Sequence, residues 1–455
     1  MRGRYAILAA LAAGVLHTGA FAPLSAWWLQ IMALAWLAHL SWSAGPRRAA
    51  LLGGAFGFAW LASGLWWLHI SMHQFGRLPW PLAALAVALL ALFLSLYYAG
   101  ALALAARLRQ RSPAWHALTW AGCWLLAELA RATLFTGFPW LASGYAHTTG
   151  LLAAWAPWIG VYGITALAAG CATGFAALGR HAWQPAAVAI ALLALGQLLP
   201  QDFTQSAGSL RVSLLQPNVP QDQKFDRERI DANLDRLARL IEASRGQLVV
   251  TPESVAPLPL AYLEPDYVAR LQRAAQQRPL LLGTFLGNER DGYVNSLVAL
   301  GGREPGMATY AYGKRHLLPF GEFIPPGFGW FVRAMGIPMD DQARGQHQQS
   351  FAVGRQRLRP LICYEDLFGE DFVDSVVGEE AATVLVNVSN LAWFGTAMVL
   401  DQHLQFSQMR ALEFQRPFIR STNTGATAVL DHRGRLRGAL PAAVEGVLEA
   451  AVEGR

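Results

Sequence analysis

The chain has 455 residues, of which 54% are hydrophobic and only 15% are charged, whereas soluble domains are about 25% charged. The first 200 residues carry ten Arg and one Glu, a net charge of +9, while the remainder carries 26 basic and 29 acidic residues, a net charge of −3. Because the positive excess lies in apolar sequence without basic runs, we expect no nucleic-acid partner, and three Cys exclude a disulfide scaffold. The composition predicts an integral membrane protein with an attached soluble domain.

Long apolar stretches in the first 205 residues predict about seven membrane-spanning helices, because lipid offers no partner for unpaired backbone groups. They cover residues 4–20, 25–43, 49–71, 80–106, 113–131, 152–178 and 182–200. With seven spans, the loops on one side carry only Arg77 and Arg131. The other side carries Arg2, Arg4, Arg47, Arg48, Arg107, Arg109, Arg111 and Arg180. By the positive-inside rule the N-terminus is cytoplasmic, and residues 206–455 form a domain on the outer, periplasmic face.

Two features interrupt the apolar pattern of the first half. Glu128 is either a functional group inside a span or the structural partner of Arg131, three residues further along the same helix, and the second interpretation is preferred. Residues 132–150 are too polar and too rich in Gly to span a membrane. We expect them to form an outer-face loop whose Phe138, Trp140 and Tyr145 lie at the lipid headgroups.

From about Leu210 the pattern changes to short strands alternating with amphipathic helices, which predicts a single α/β sandwich domain. The predicted strands are Leu210–Gln216, Gln247–Thr251, Pro279–Phe285, Val294–Leu300, Leu358–Cys363, Thr383–Val388 and Thr427–Leu430, and the predicted helices cover 226–244, 264–278, 367–378 and 399–416.

Three reactive side chains follow predicted strands of this domain. Glu253 follows a strand in VVTPES, Lys314 follows MATYAY, and Cys363 ends the segment LRPLIC. A thiolate is a good nucleophile, a partly desolvated Glu can act as a general base, and an ammonium can stabilise an oxyanion. Each residue alone is more often structural, but the three together fit covalent acyl transfer.

The segments around these residues add a family resemblance. TPES, YGKRHLLPFGEFIP, ICYED and NVSNLAWFG resemble the four signature segments of the nitrilase (carbon–nitrogen hydrolase) superfamily. Within it, the long apolar half, the QPNVPQDQKF start and the QHLQFSQMRALEFQRPFIRSTNTGATA segment resemble the apolipoprotein N-acyltransferase family of bacterial inner membranes. The resemblance covers nearly the whole chain and implies an αββα sandwich for the second half.

The resemblance also implies roles for individual residues. Glu253 would be the general base, Lys314 the oxyanion stabiliser and Cys363 the nucleophile. The supporting or substrate-binding residues that it implies are Glu322, Tyr364, Glu365 and Trp393.

The sequence departs from the family pattern at three places. Leu391 stands where the family commonly has Asp, so that another group must orient the loop if that Asp does so elsewhere. Lys224-Phe225 replaces a common Lys-Trp, which keeps an aromatic side chain. An eighth span, usual after the catalytic domain, is absent from this sequence, which ends at Arg455.

The implied reaction is N-acylation of the α-amine of an S-diacylglyceryl-cysteine at the N-terminus of an apolipoprotein. A phospholipid would donate the acyl chain through a thioester on Cys363. The alternative is a membrane-tethered amidase or nitrilase that uses the same three residues. We expect no cofactor and no metal, because His316, His347 and His403 lack ligand spacing.

The segment Phe320–Met339 is rich in Pro, Gly and aromatic residues but too short to span a membrane. It is either a buried core loop or a mobile arm that rests on the outer leaflet and admits lipid, with Trp330 and Phe331 on its apolar face.

Overall fold

A computed structural model describes residues 3–300, 309–329, 341–346 and 349–455. The chain forms two compact units, Met1–Asp202 and Phe203–Arg455. The first unit is helical and the second combines helices with two β-sheets.

The helical unit is built from hydrophobic helices joined by short turns. These helices are α1 Gly3–Thr18, α2 Trp27–Ser41, α3 Pro46–Gly64, α4 Trp80–Arg107, α5 Pro113–Thr133, α6 Ala156–Ala176 and α7 Gln184–Gly196. Helices α3 to α7 each carry Pro in their first two positions. Proline fits there because its fixed φ suits the first turn and its missing N–H has no helical partner to lose.

Several of these helices are shorter than the predicted spans. Within the described residues, Trp80–Arg107 and Leu151–Arg180 are long and apolar enough to cross a membrane, and Pro46–Gly64 with Leu68–Phe75 is a third candidate if this pair, bent by 58°, is one span. Helices α1, α2 and α7 have 16, 15 and 13 residues, where a spanning helix needs about 20.

A buried ion pair ties α5 to the segment that follows it. Arg131 Nη2 lies 2.7 Å from Glu128 Oε2, and both side chains are fully buried. Ser143 donates to Glu128 Oε1 from its backbone N–H at 3.2 Å and from its hydroxyl at 2.6 Å. Arg131 Nη1 donates to the carbonyls of Phe138 and Trp140 at 2.7 and 2.8 Å. The predicted structural pairing of Glu128 with Arg131 is confirmed.

The position expected for residues 132–150 is wrong in part. Trp140 and Tyr145 are 4% and 0% exposed, so they lie inside the helical unit and not at its surface. The backbone of this irregular segment can be buried because side chains satisfy it: besides Glu128 and Arg131, the Gln30 amide donates to the carbonyl of Ser143 at 2.7 Å.

The second unit contains two six-stranded sheets. The strands are β1 Gly208–Gln216, β2 Leu248–Val250, β3 Leu280–Asn288, β4 Gly292–Leu300, β5 Tyr310–Gly313, β6 Phe351–Val353, β7 Gln356–Ile362, β8 Val384–Ser389, β9 Phe418–Thr422, β10 Ala428–Leu430, β11 Leu436–Ala439 and β12 Gly446–Gly454. One sheet has the order β12-β1-β2-β3-β4-β5 and the other has the order β11-β10-β9-β8-β7-β6. Strands β1, β2 and β3 run parallel, as do β7, β8 and β9.

Three apolar layers hold this unit together. Alternate residues of both sheets, such as Val212, Leu281 and Val386, form a common core between them. On the outer face of the first sheet, α8 Ile230–Ala243 and α9 Pro265–Gln277 contribute residues to a second core. Helix α10 Val399–Phe414 contributes to a third core on the other sheet. The arrangement is the αββα sandwich that the resemblance implied.

The predicted strands and helices of this unit are largely correct, with two kinds of difference. Strands β6, β9, β11 and β12 were not predicted. In β9 the apolar Phe418 and Ile419 are followed by three polar residues that are also buried, so its sequence lacks the alternation typical of a strand. The helix predicted over 367–378 is a 3₁₀ segment, Gly369–Val376. The end of the chain forms β12, which pairs antiparallel with β1 from Gly446 to Gly454.

Candidate active site

Parallel strands bring the three predicted residues to one edge of the sandwich. Glu253 follows β2, and Cys363 directly follows β7. Lys314 directly follows β5, which is antiparallel to β4 and therefore parallel to β3. The ends of parallel strands lie at the same edge of a sheet, which brings Glu253 and Lys314 together. Cys363 ends a strand of the second sheet, which packs against the first through their common core. Lys314 Nζ lies 3.2 Å from Glu253 Oε1, and Cys363 interacts electrostatically with both residues.

Both carboxylate oxygens of Glu253 accept hydrogen bonds. Oε1 accepts from the Asn295 amide at 2.8 Å and from Lys314 Nζ at 3.2 Å, and Oε2 accepts from the backbone N–H of Asn390 at 2.8 Å. Glu253 is only 6% exposed. The donors come from β4, β5 and the loop after β8, so that the carboxylate is held from both sheets.

Lys314 lies between two carboxylates. Its Nζ is 2.8 Å from Glu322 Oε1 as well as 3.2 Å from Glu253 Oε1. Burial alone would lower the pKa of Lys314, but the attraction of Glu253 and Glu322 outweighs burial and raises it well above the usual value. Burial raises the pKa of Glu322, with Lys314 opposing the shift and Glu253 adding to it. Lys314 is therefore a fixed positive charge at neutral pH.

Glu322 is also held in place by neutral donors. Its Oε2 accepts from the backbone N–H of Leu318 at 2.8 Å, and its Oε1 accepts from the Asn295 amide at 3.2 Å. The Asn295 amide thus donates to both carboxylates that flank Lys314.

Cys363 begins a 3₁₀ turn, Cys363–Leu367, at the end of β7. Its φ of 52° lies in the left-handed region, which a non-glycine residue rarely adopts. The carbonyl of Cys363 accepts from the Asn387 amide at 2.9 Å. Burial and the nearby Glu253 raise the pKa of the Cys363 thiol well above its usual value, while Lys314 opposes the shift. The resting side chain is therefore a thiol that needs a base in order to react.

Glu365 connects the loops of Lys314 and Cys363. Its Oε1 accepts from the backbone N–H groups of Arg315 and His316 at 2.7 and 3.3 Å. Its Oε2 accepts from the Tyr312 hydroxyl at 2.8 Å and from the backbone N–H of Ile362 at 2.7 Å. This carboxylate therefore fixes the separation between two residues of the site.

The remaining predicted residues lie in different surroundings. Tyr364 is 1% exposed and its ring packs edge-on against Phe368 at 5.1 Å, so it lies in the core. Trp393 is 37% exposed and belongs to a short turn, Ala392–Phe394, beside the site. Trp330 and Phe331 lie outside the described residues.

Asn390, the neighbour of Leu391, explains how this loop is held without the Asp that the family commonly has. Leu391 is 1% exposed and packs as an apolar residue. The loop is instead held by Asn390, whose backbone N–H binds Glu253 and whose side-chain amide donates to Gln221 Oε1 at 2.8 Å. Asn423 in turn donates to Asn390 Oδ1 at 3.0 Å.

The structure adds polar groups that the sequence did not single out. Asn295 and Lys224 contact the site directly, and a second buried network lies behind Cys363. In that network Asp366 Oδ2 accepts from Arg420 at 3.1 Å and from Ser407 at 2.7 Å, and His403 Nδ1 lies 2.7 Å from Arg420 Nη2. A polar residue inside an apolar strand, such as Asn295 in β4, was the available sequence signal, whereas Lys224 lies in a polar turn that gives no such signal.

The geometry combines a thiol, a fixed carboxylate and a buried ammonium. A thiol can attack a carbonyl carbon once a carboxylate accepts its proton, and an ammonium can stabilise the negative oxygen that forms. Among the residues described, no group of three or more His, Cys, Asp or Glu side chains is arranged to hold a metal ion.

Each half of the chain matches a known protein family. Residues 13–174 match the apolipoprotein N-acyltransferase N-terminal domain, and residues 211–454 match the carbon–nitrogen hydrolase family.

Relatives resemble the chain over nearly its whole length. An apolipoprotein N-acyltransferase of Verminephrobacter eiseniae is 46% identical, covering 94% of this chain and 84% of the relative. One of Ralstonia nicotianae is 45% identical, covering 100% and 88%. One of Bordetella bronchiseptica is 40% identical, covering 99% and 91%. With one half matching the family's own N-terminal domain and the other carrying the carbon–nitrogen hydrolase sandwich, the chain belongs to the apolipoprotein N-acyltransferase family.

Proposed function

We propose that this protein transfers an acyl chain from a phospholipid to the α-amine of an S-diacylglyceryl-cysteine at the N-terminus of apolipoproteins. The observation that carries the proposal is the meeting of Glu253, Lys314 and Cys363, a half-buried residue, at one edge of the sandwich. Family membership supplies the substrate class. Nothing in this chemistry requires a cofactor.

In the first half-reaction the thiol of Cys363 attacks the ester carbonyl of the phospholipid. Its proton passes to Glu253, whose carboxylate is already oriented by Asn295 and Asn390. A C–S bond forms, the C–O bond of the ester breaks, and the proton on Glu253 passes to the departing alkoxide. The products are a lysophospholipid and a thioester on Cys363.

In the second half-reaction the free α-amine attacks the thioester. The new C–N bond forms as the C–S bond breaks, Glu253 accepts a proton from the amine, and the proton restores the thiol of Cys363. Thioesters react faster with amines than oxygen esters do, which divides one difficult step into two easier ones.

Lys314 would stabilise the negative oxygen in both half-reactions. Its position between Glu253 and Glu322 keeps the ammonium charged and fixed, so that little reorganisation is needed when charge develops on the substrate. Glu322 would position Lys314, and Glu365 would hold the Lys314 and Cys363 loops at the correct separation. Tyr364 supports the turn from within the core, and Trp393 would line the acyl site.

The helical unit would be a membrane domain with about seven spans, a cytoplasmic N-terminus and the catalytic unit on the periplasmic side of the bacterial inner membrane. Helix α4 supports this assignment, since Leu85, Leu89, Leu92 and Leu96 on its surface are each more than half exposed. An apolar surface of this kind is stable in lipid and costly in water. The Arg asymmetry supports the orientation: eight Arg are assigned to the cytoplasmic side, whereas on the other side Arg131 is buried against Glu128 and Arg77 lies in a loop.

The product test is direct. Purified protein in mixed micelles is incubated with phospholipid and a synthetic diacylglyceryl lipopeptide, and the peptide is analysed by mass spectrometry. We expect a triacylated peptide with an amide-linked third chain, and none when the α-amine is acetylated beforehand. Release of the amide-linked chain of a pre-formed triacyl peptide, with no synthesis, would contradict transfer and support the amidase alternative.

Topology is tested by labelling single cysteines with a membrane-impermeant maleimide in intact cells. In a chain without its native Cys residues, Arg239→Cys on α8 should react from outside, because its side chain is 61% exposed in the catalytic unit. Arg47→Cys should react only after the cells are lysed. Labelling of Arg47→Cys but not of Arg239→Cys in intact cells would reverse the orientation.

A further inference from the structure

The chain contains only two Lys residues, Lys224 and Lys314, against 34 Arg. Lys314 has its place between two carboxylates. Lys224 is also almost completely buried, at 4% exposed, and it also contacts Glu253. In a chain that otherwise uses Arg for its positive charges, both ammonium groups are therefore found at the same site.

Lys224 lies at the end of a short helical turn, Gln221–Lys224, and reaches the segment that carries Glu253. Its Nζ donates to the Ser254 hydroxyl at 2.7 Å and to the Glu253 carbonyl at 3.4 Å. Ser254 has a φ of 43°, in the left-handed region that disfavours a residue with a side chain. Lys224 thus binds the backbone of the proposed base and its strained neighbour at the same time.

The charges facing Lys224 are those of the site. It interacts electrostatically with Glu253 and with Cys363, and Glu253 and Cys363 in turn face Lys314 and Glu322. The two ammonium groups therefore match the charges of the two carboxylates. When the thiol transfers its proton to Glu253, the group retains the same total charge, with the negative charge moved from Glu253 to the sulfur.

We propose that Lys224 is a positioning residue whose ammonium stabilises the thiolate of Cys363 and whose hydrogen bonds hold the backbone at Glu253. The proposal rests on the proposed function insofar as Cys363 is the nucleophile and Glu253 is its base. An ammonium suits this position better than a guanidinium, because it is compact and its three donors rotate freely, whereas the fork of Arg is planar and larger.

The charge of the Lys224 ammonium also depends on pH. Burial lowers the pKa of Lys224 to about 8, with Glu253 and Cys363 opposing the shift. Lys224 is therefore mostly charged at pH 7 and loses its charge as the pH rises through about 8. A cavity lined by Lys224, Glu253 and Asn423, with room for about one water molecule, lies beside it.

If Lys224 were only a structural anchor, it would act through its hydrogen bonds alone. Variants can separate this role from stabilisation of the thiolate by the positive charge. Lys224→Gln keeps a donor near Ser254 but removes the charge. Lys224→Arg keeps the charge, and Ser254→Ala removes the hydrogen-bond acceptor while leaving all charges in place. Lys224→Met is a second uncharged variant, which keeps the test open if the glutamine variant does not fold.

The readout is the rate of Cys363 alkylation by iodoacetamide at pH 7, where Lys224 is mostly charged, in the full chain with Cys123 and Cys171 replaced by Ala. A nearby positive charge favours the thiolate, which is the form that iodoacetamide alkylates. We expect Lys224→Gln and Lys224→Met to slow alkylation at pH 7 about threefold or more. Lys224→Arg and Ser254→Ala should slow it by less than half as much, and at pH 9, where Lys224 is mostly neutral, the difference between the original chain and the uncharged variants should shrink.

An unchanged alkylation rate at pH 7 in the uncharged variants, or equal slowing in Ser254→Ala, would overturn the proposal. The alkylation measurement needs neither acyl donor nor acceptor. It can therefore support the role of Lys224 even if the chain proves to be a hydrolase, and it can contradict that role even if acyl transfer is demonstrated.

Discussion

The two units each bury a carboxylate against a cation, and the comparison shows what distinguishes a structural ion pair from a reactive one. In the helical unit one Glu128 meets one Arg131 at 2.7 Å, and the remaining contacts go to Ser143 and to nearby carbonyls. In the sandwich, Lys314 is shared by two carboxylates and a thiol lies within their electrostatic reach.

The two groups of charged residues differ in their charge balance and in the exposure of the residues that form them. The pair in the helical unit is one to one and both side chains are 0% exposed. In the sandwich, burial raises the pKa values of Glu322 and Cys363, and the two carboxylates raise the pKa of Lys314 against the effect of burial, while residue Cys363 remains partly exposed. Burial of an ion pair is therefore no indication of function by itself. Perturbed groups beside an accessible nucleophile are a better one.

The largest expected effect comes from the nucleophile. Cys363→Ala should abolish both the acyl adduct and the triacylated product, because no other described group in the site can form the thioester. Cys123→Ala, the matched change of a buried Cys in the helical unit, should leave the rate unchanged. Mass spectrometry of protein and product measures both. Normal turnover by Cys363→Ala would contradict the assignment of the site.

The next effect comes from the ion pair of the sandwich. Glu253→Gln should lower kcat by about two decades or more, since loss of a general base commonly costs that much. Lys314→Met should have an effect of similar size because it removes the oxyanion's positive charge. Rates per folded molecule are measured with labelled phospholipid. Rates within threefold of the original chain would show that the pair is structural, like Glu128–Arg131.

A smaller effect is expected at Asn295, whose amide binds both Glu253 and Glu322 at 2.8 and 3.2 Å. Asn295→Ala should lower kcat about tenfold with little change in KM, because hydrogen bonds to charged groups contribute about 1.5–3 kcal/mol. Asn288→Ala, at the end of β3, is the matched control. Equal kinetics for the two variants would show that Asn295 does not contribute to the reaction.

The smallest effect on rate, and the largest on stability, is expected in the helical unit. Glu128→Gln leaves Arg131 buried without its charge partner, which in buried pairs costs about 3–5 kcal/mol. We expect a lower unfolding temperature in detergent but an unchanged rate per active site, titrated through Cys363. A large loss of rate in fully folded protein would mean that Glu128 takes part in the reaction.

The same comparison shows which features of the fold and of the site could be predicted from the sequence. Strand direction could predict that Glu253 and Lys314 lie at the same edge of one sheet. Cys363 ends a strand of the other sheet, so its meeting with them was predicted mainly from the family resemblance. The positions of Asn295 and Lys224 depend on side-chain packing across the sheet, which the sequence pattern does not encode. The burial of Trp140 was also missed, because the carbonyls of its polar segment are satisfied by Arg131, which comes earlier in the chain.

The most direct test of the central claim is whether Cys363 carries the acyl chain between two separate substrates. With phospholipid alone, the purified protein should release one lysophospholipid per site and accumulate a hydroxylamine-sensitive adduct on Cys363. Adding diacylglyceryl lipopeptide should convert that adduct into amide, while the N-acetylated lipopeptide should leave it in place. Continuous release of free fatty acid from phospholipid without acceptor would contradict the account, since water would then be the second substrate.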